Sequence, residues 1–188
     1  MTRSISETVA RANLRAGTTD ARPATITFAI GETSLGNMLI ARRSAGICAI
    51  LFGDDRDALA ADLALRFPKA KLVQDRGALA GDLARLSRFV EKPAEGLDLP
   101  LDIGGTPFQR RVWDALRTIP AGVTMTYTDV ASRIGAPKAV RAVARACAAN
   151  PLALAVPCHR VVRSGGGLAG YRWGIERKRA LLAREAQA

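Results

Sequence analysis

The residues with the clearest chemical potential are a cysteine and the chain's only histidine, adjacent in Pro157-Cys158-His159-Arg160-Val161-Val162. The apolar run Leu152-Ala153-Leu154-Ala155-Val156 precedes them and predicts a buried strand that ends at the sulfur. A thiol there is partly shielded from water, and a neighbouring imidazole can take its proton. Such neighbours lower a cysteine pKa from about 8.5 to roughly 3.5–7.5, which favours the nucleophilic thiolate. The alternative interpretation is a cysteine buried as a small apolar side chain.

The number and spacing of the cysteines limit which classes of protein fit this chain. The three cysteines, Cys48, Cys147 and Cys158, show no disulfide spacing, which predicts a reduced, intracellular protein. One histidine and no Cys-x-x-Cys pair argue against a structural zinc site, so we expect no metal. Residues 1–24 are polar and lack the apolar core of a signal peptide. No apolar stretch approaches the roughly 18 residues that cross a bilayer.

The net charge of +11 is concentrated in the half that holds Cys158. Residues 1–103 carry 14 basic and 13 acidic side chains, whereas residues 104–188 carry 14 basic and 4 acidic ones. A chain with so few compensating acids in one half favours a nucleic-acid partner. A solvated basic surface is the alternative.

The first half predicts a small sheet followed by helices. Apolar runs near residues 25–30, 35–41 and 45–52 predict an antiparallel meander, with Cys48 in its core. Helices are expected from about 54 to 67 and from about 77 to 90. The proline- and glycine-containing stretch that follows is typical of a connection. We therefore divide the chain into a flexible segment 1–23, a supporting α/β domain 24–92, a connecting segment 93–103 and a second domain 104–188.

The second half predicts mainly helices. Thr106-Pro107-Phe108-Gln109 is a capping box that starts a helix to about Thr118. A second box at Thr126-Tyr127-Thr128-Asp129 starts a short helix to Ile134, and another helix is expected over 139–149. Two short helices with a glycine-containing turn between them match a helix-turn-helix, although any αα corner has the same pattern.

The helix predicted over 139–149 contains only Ala, Val, Arg and one Cys. Its polar residues, Arg141 and Arg145, lie four apart and share a face. A major-groove reader needs more side chains that reach base edges. Small residues instead let the helix backbone approach closely, with one arginine on phosphate and one beside an extruded base, which favours minor-groove binding with local distortion.

Five segments occur together in a recognisable order and spacing: Tyr127, residues 137–143, Asn150-Pro151, residues 157–162 and residues 170–174. They resemble the O6-alkylguanine-DNA alkyltransferases (methylated-DNA–protein-cysteine methyltransferases), in particular the C-terminal part of Ada-type proteins. The resemblance is specific over about 104–186 and looser from Thr25. It implies an α+β fold, with an RNase H-like N-terminal small antiparallel sheet with helices and a mainly α, winged-helix-like C-terminal domain that carries the helix-turn-helix.

The resemblance implies a single-turnover DNA repair reaction. Cys158 would attack the alkyl carbon on guanine O6, and His159 would take the thiol proton, usually through a water. Glu185, in a final helix over 175–186, would orient the imidazole, and Tyr127 would donate to the flipped base. Without the resemblance, Glu185 is more simply an exposed acid. The implied partner is duplex DNA carrying O6-alkylguanine, and the protein is expected to be a cytoplasmic monomer without cofactor or membrane contact.

The resemblance also implies binding roles. The DNA-binding set is Thr126, Ala139, Arg141, Ala142, Arg145 and Cys147, and Arg141 matches the arginine finger that fills the gap left by the flipped base. The base pocket is Tyr127, Val161, Val162, Ala169, Tyr171 and Arg172. Asn150 matches a hinge residue that bonds backbone near the cysteine. Two features depart from many members, because Arg172 stands where they have serine and the indole of Trp173 is expected to narrow the pocket.

Two other functions stay open at this point. One is a non-catalytic protein that binds or senses alkylated DNA with the same fold, and the other is a Cys-His hydrolase. The sequence does not give the alkyl-size preference, activity on O4-alkylthymine, any transcriptional role or the role of the N-terminal domain. It also leaves open whether this chain is free-standing or part of a longer regulator.

Overall fold

The computed structural model describes residues 24–168 and 170–187. The predicted flexible segment 1–23 and the predicted pocket residue Ala169 lie outside the described residues. The described chain has the predicted α+β fold, with a sheet-containing N-terminal unit and a mainly helical C-terminal unit. In the part of the chain that the structure describes, no helix has the length and apolar character needed to span a membrane.

Within the described residues the N-terminal sheet has four strands, one more than predicted. Three form the expected antiparallel meander: β1 (Thr25–Thr33), β2 (Gly36–Arg43) and β3 (Gly46–Gly53). A short β4 (Lys71–Gln74) pairs in parallel with β1, so the order is β3-β2-β1-β4. The predicted antiparallel meander is confirmed, and the parallel edge strand β4 is an addition that the sequence did not predict. The sequence signal of β4 is weak because three of its four residues are exposed and it lies at the sheet edge.

Two helices cover this sheet. Helix α1 (Arg56–Arg66) packs on β3, and α2 (Ala80–Glu91) packs on β1. Asp55 starts α1, because its carboxylate accepts a hydrogen bond of 2.7 Å from the backbone N–H of Ala58. Strand β3 is the most buried strand of this sheet, because every residue from Gly46 to Phe52 is buried.

The described part of the C-terminal unit contains four α-helices and one short strand pair. The helices are α3 (Pro107–Arg117), α4 (Tyr127–Arg133), α5 (Val140–Ala148) and α6 (Ile175–Glu185). Strands β5 (Met125–Thr126) and β6 (Val161–Val162) pair in parallel. Both predicted capping boxes are confirmed, at the starts of α3 and α4. Helices α4 and α5 form the helix-turn-helix and pack on α3.

Helix α5 is fixed in place from its buried side. The indole N–H of Trp113, in α3, donates a hydrogen bond of 2.9 Å to the carbonyl of Ala146. Val143 and Ala146 are buried in the same contact region. The opposite side of α5 carries exposed Arg141 and Arg145. The helix therefore presents its two arginines from a rigid support.

The predicted strand before the cysteine is wrong. Residues 152–156 make one isolated bridge, between Ile50 and Leu152, and otherwise form turns. Beyond this bridge, where the N–H of Ala153 donates to the Ile50 carbonyl at 3.0 Å, the backbone bonds are local: the N–H of Val156 donates to the carbonyl of Leu152 at 2.9 Å. Leu154 has a φ of 68°, a left-handed conformation that no strand contains. The apolar run thus marked burial rather than an extended backbone.

Candidate active site

Cys158 begins a 3₁₀ helix, Cys158–Arg160, directly after Pro157. Its neighbour in space is Asn150, which is fully buried. The amide of Asn150 donates to Cys158 Sγ at 3.2 Å and to the Val156 carbonyl at 2.8 Å. Asn150 Oδ1 accepts a 2.8 Å bond from the N–H of Leu152. Asn150 therefore ties the end of α5 to both sides of the cysteine turn.

Cys158 is only 5 % exposed, yet it lines a cavity of about 300 Å³. Three small residues of α5 form one wall: Ala144, Cys147 and Ala148. Four more residues complete it, of which three were predicted for the base pocket: Tyr127, Gly170, Tyr171 and Arg172. A larger cavity of about 450 Å³ lies on the other side of the turn, beside Arg160, but Cys158 does not line it. The smaller cavity is therefore the candidate site.

Several predicted residues lie elsewhere. Val161 and Val162 are buried in β6 and do not line the cavity, and the Val161 carbonyl accepts a hydrogen bond from Lys178 Nζ at 2.5 Å. Trp173 does not line it either. Its indole packs edge-on against Tyr171, with ring centroids 5.1 Å apart, so it supports the wall from behind rather than narrowing the space.

Buried polar groups meet behind the cysteine. His159 Nε2 lies 2.8 Å from Glu185 Oε1, and both side chains are almost fully buried. Arg160 donates two hydrogen bonds to the same carboxylate, from Nε to Oε2 at 3.0 Å and from Nη2 to Oε1 at 2.8 Å. The Arg160 guanidinium also donates to the Ile119 carbonyl. Within the described residues no group of three or more His, Cys, Asp or Glu side chains is placed to hold a metal ion.

The proton positions in this cluster follow from the charges. Burial alone would raise the pKa of Glu185, but hydrogen bonds from His159 and Arg160 outweigh it and lower that pKa to about 2. Burial lowers the pKa of His159 despite its bond to Glu185, so the ring is neutral near pH 7. An ionised carboxylate only accepts hydrogen bonds, so the proton of the neutral ring lies on Nε2. Nδ1 is then a free base, and it is buried without a hydrogen-bond partner among the described protein atoms.

The expectation of a thiolate at rest is wrong. Burial raises the pKa of Cys158 to about 11, and the Asn150 hydrogen bond and the positive charge of Lys178 offset only part of this. In the described residues no hydrogen bond joins Cys158 Sγ to the His159 ring, although the two are adjacent in the chain. The resting protein therefore holds a neutral thiol in the cavity wall.

Two tyrosines, Tyr127 and Tyr171, line the same cavity. Burial, followed by the nearby Cys147, raises the pKa of Tyr127 to about 12. Burial also raises the pKa of Tyr171 well above 10, and its buried hydroxyl has no partner among the described protein atoms. Both hydroxyls keep their protons at neutral pH. The cavity wall thus contains two thiols, those of Cys147 and Cys158, and two protonated tyrosines.

The predicted DNA-binding residues separate into three groups. Arg141 and Arg145 are exposed on α5, and the neighbouring Ala139 and Ala142 are partly exposed. Thr126 is occupied as the N-cap of α4, where its hydroxyl donates to Asp129 Oδ2 at 2.7 Å. Cys147 is 7 % exposed and belongs to the cavity wall rather than to the arginine face. Helix α5 therefore has an arginine face outside and a small-residue face toward the thiol.

Arg160 and Lys178 were not predicted as site residues, although Arg160 lies inside the motif of residues 157–162. Their partners, Glu185 and the Val161 carbonyl, lie 25 and 17 residues away, and no spacing signal connects them. A basic residue in an apolar stretch is the available hint for Arg160, because buried charges require partners. Ala144 and Ala148 were also missed, since alanine carries no chemical signal of its own.

Residues 107–187 match the family described as 6-O-methylguanine DNA methyltransferase, DNA binding domain. The chain is 49% identical over 162 residues to the Escherichia coli K12 bifunctional transcriptional activator/DNA repair enzyme Ada, covering 86% of this chain and 46% of that protein. It is 50% identical over 111 residues to a Mycobacterium bovis methylated-DNA–protein-cysteine methyltransferase, covering 59% and 67% of the two chains. The crystal structure of Mycobacterium tuberculosis OGT in complex with DNA matches with a TM-score of 0.71 and 34% identity, over 86% of this chain and 93% of that one. This chain spans about half the length of the Ada protein.

Proposed function

Because the chain belongs to the O6-alkylguanine-DNA alkyltransferase (methylated-DNA–protein-cysteine methyltransferase) family, we propose that it repairs DNA by moving the alkyl group of O6-alkylguanine onto Cys158. The name of the Mycobacterium bovis relative, methylated-DNA–protein-cysteine methyltransferase, supports methyl transfer to a protein cysteine. One observation carries the proposal for this chain: Cys158 lines a cavity that α5 and two tyrosines enclose. A flipped base entering along α5 meets the thiol there.

The reaction is a direct displacement. The thiol proton passes to His159 Nδ1, through one water as the family resemblance implies, and Sγ attacks the alkyl carbon. The S–C bond forms as the C–O6 bond breaks, and the electron pair of that bond leaves with the guanine. The imidazolium that forms is stabilised by the carboxylate of Glu185, 2.8 Å from Nε2. Deprotonation thus occurs during the reaction, which fits a resting thiol of high pKa.

The leaving guanine anion needs hydrogen bonds and finally a proton. Tyr127 and Tyr171 line the cavity with protonated hydroxyls, so either can donate to the developing anion. The proton taken up by His159 balances the reaction when it reaches the purine. The products are a thioether on Cys158 and an unmodified guanine. Since nothing removes the alkyl group from sulfur, each protein molecule reacts once and requires no cofactor.

DNA binding is proposed through the arginine face of α5, Arg141 and Arg145. The thiol lies in a cavity wall behind this helix, so a base inside a duplex must flip out to reach it. We place α5 in the minor groove, with Arg141 in the gap that the base leaves, because its small residues permit close approach. We also propose a cytoplasmic monomer, because reduced cysteines and bacterial relatives fit that compartment.

The test is to incubate the protein with a duplex that contains O6-methylguanine and to measure the protein mass. We expect one methyl group on Cys158, absent in Cys158→Ala. The matched control is Cys48→Ala, which removes a buried cysteine of β3 and leaves the mass gain intact. Binding to the duplex without any mass gain indicates the non-catalytic lesion binder instead. Repeated turnover of an ester or amide indicates a Cys-His hydrolase.

The binding face is tested in the same assay with Arg141→Ala. We expect slower reaction with the duplex but little change with free O6-benzylguanine, since the finger acts only on a stacked base. The control is Arg76→Ala, an exposed arginine of the N-terminal unit, which leaves both rates unchanged. Equal loss on both substrates would contradict the finger role of Arg141.

A further inference from the structure

The N-terminal unit reaches the candidate site through one ion pair. Arg172 lines the cavity, and its Nη2 lies 3.0 Å from Asp62 Oδ1 and 3.2 Å from Oδ2. Asp62 belongs to α1, 110 residues earlier in the chain. The side chains of Arg172 and Asp62 are 36 % and 32 % exposed, so the pair lies at the edge of the cavity rather than inside it. Asp62 of the N-terminal unit thus holds Arg172 of the cavity wall through an ion pair.

Asp62 serves two cations at once. Its Oδ2 also lies 3.3 Å from Nε of Arg66, one turn later in α1. Arg66 is the more buried of the two arginines, and burial followed by the charge of Arg172 lowers its pKa. The carboxylate therefore screens two guanidinium groups from each other. Without it, Arg172 would lose its partner and face the repulsion of Arg66.

From this arrangement we infer that Asp62 is a positioning residue: it holds the Arg172 guanidinium back at the cavity edge and so determines how large a group can reach Cys158. The inference rests on the proposed function only for the identity of that group. An arginine side chain is long and flexible, and one without a partner samples many rotamers. Repelled from Arg66, the released guanidinium moves away from α1 and across the cavity mouth.

The expected effect is selective and moderate. A small reactant passes a partly obstructed mouth more easily than a bulky one, so the loss of Asp62 lowers the ratio of bulky to small reaction rates. Partly exposed ion pairs contribute modest free energies, which correspond to a change of about two- to five-fold. Salt weakens such pairs. High ionic strength should therefore lower the ratio in the natural protein and leave it unchanged once Asp62 is neutral.

The experiment compares two thiol reagents, iodoacetamide and the larger N-benzylmaleimide, with modification of Cys158 followed by peptide mass mapping. We expect Asp62→Asn to lower the bulky-to-small rate ratio about two- to five-fold. Adding Arg172→Ala to Asp62→Asn should restore the ratio, because no guanidinium is left to obstruct the mouth. The control is Asp54→Asn, which breaks another ion pair between the units while Arg177 keeps its bonds to the Leu35 and Trp173 carbonyls.

The outcomes separate this inference from the proposed function. Neither reagent requires DNA or repair activity, so the ratio is measurable even if no alkyl group is taken from guanine. Three results would each overturn the positioning role: an unchanged ratio in Asp62→Asn, an equal slowing of both reagents in that variant, or a double variant in which the bulky-to-small rate ratio stays low. If repair occurs, O6-methylguanine and O6-benzylguanine should reproduce the same ratio change.

Discussion

The interiors of the two units differ in what they bury. The N-terminal unit buries an apolar sheet, and its one buried charged side chain among the described residues is Asp82, which pairs with Arg42. The C-terminal unit buries five polar or charged side chains within its described part: Asn150, His159, Arg160, Lys178 and Glu185. Burying such groups is costly unless each finds a partner. The difference indicates that one interior provides stability and the other provides chemistry as well.

The polar interior of the C-terminal unit is a set of interdependent contacts. Glu185 joins His159 to Arg160, and Asn150 joins the thiol to the turn before it. Removing one member leaves another buried without its partner. A change there should affect stability and reactivity together, whereas a change in the sheet should affect stability alone.

The largest effect is expected for Glu185→Gln. The amide leaves the Arg160 charge buried without its counter-ion, which costs about 3–5 kcal/mol of unfolding free energy. Alkylation of Cys158 should also slow sharply, because the imidazolium loses its stabilising charge. Urea unfolding and the rate of mass gain measure the two effects. The control is Glu176→Gln, an exposed acid of the same helix that pairs with Arg179.

This stability difference should depend on pH with a definite sign. The pKa of Glu185 is about 2 in the folded protein, below the value of about 4.3 for a free glutamate. Its contribution is therefore complete above about pH 4.3 and is lost as the pH falls toward 2. The natural protein and Glu185→Gln should converge in stability over that range. A constant difference down to pH 2 would contradict an ionised, paired Glu185.

A smaller, one-sided effect is expected for Leu39→Ala. Leu39 is fully buried in β2, opposite Ile30 and Leu51. Its truncation should lower the unfolding free energy by about 2–5 kcal/mol through lost burial and a cavity. At temperatures where the variant stays folded, the rate of Cys158 alkylation should equal that of the natural protein. A slower rate in the folded variant would show that the sheet tunes the site and would break the comparison.

Local signals in the sequence predicted local structure well. The capping boxes at Thr106 and Thr126 place both helix starts correctly, because a capping box is closed within four residues. The apolar run 152–156 misled, since hydrophobicity reports burial and the turn there depends on Asn150. The β4 strand was missed because its support comes from β1, far away in sequence.

The site residues were predictable only where the resemblance to a known family supplemented the spacing of the sequence motifs. The position of Glu185 came from that resemblance, and the structure places it beside His159. Its other partner, Arg160, was missed because their contact is tertiary. The prediction of a low pKa for Cys158 was wrong for a related reason: the neighbouring histidine is visible in the sequence, but the depth of burial that raises the pKa is not. The domain boundaries at 23, 92 and 103 stay predictions.

The smallest expected effect compares two cysteines of equal acidity. Burial raises the pKa of both Cys48 and Cys158 to about 11. Cys48 lies inside β3, with its thiol 3.5 Å from the Ala41 carbonyl, whereas Cys158 lines a cavity. Iodoacetamide should therefore label Cys158 before Cys48 in the native protein, and its rate should keep rising from about pH 8 to 10 because the thiolate fraction grows toward the pKa.

The same pKa fixes the sign of the stability effect at alkaline pH. A thiol with a folded pKa of about 11, above its unfolded value near 9.0, stabilises less as the pH rises between those values. Cys158→Ser removes that dependence and leaves the matching contribution of Cys48. Equal labelling of the two cysteines under native conditions would show that the cavity does not make the sulfur of Cys158 more accessible to the reagent than that of Cys48. The two thiols have the same pKa, so only the access of reagents to the cavity can make Cys158 more reactive than Cys48. The proposed difference between the two unit interiors depends on that access.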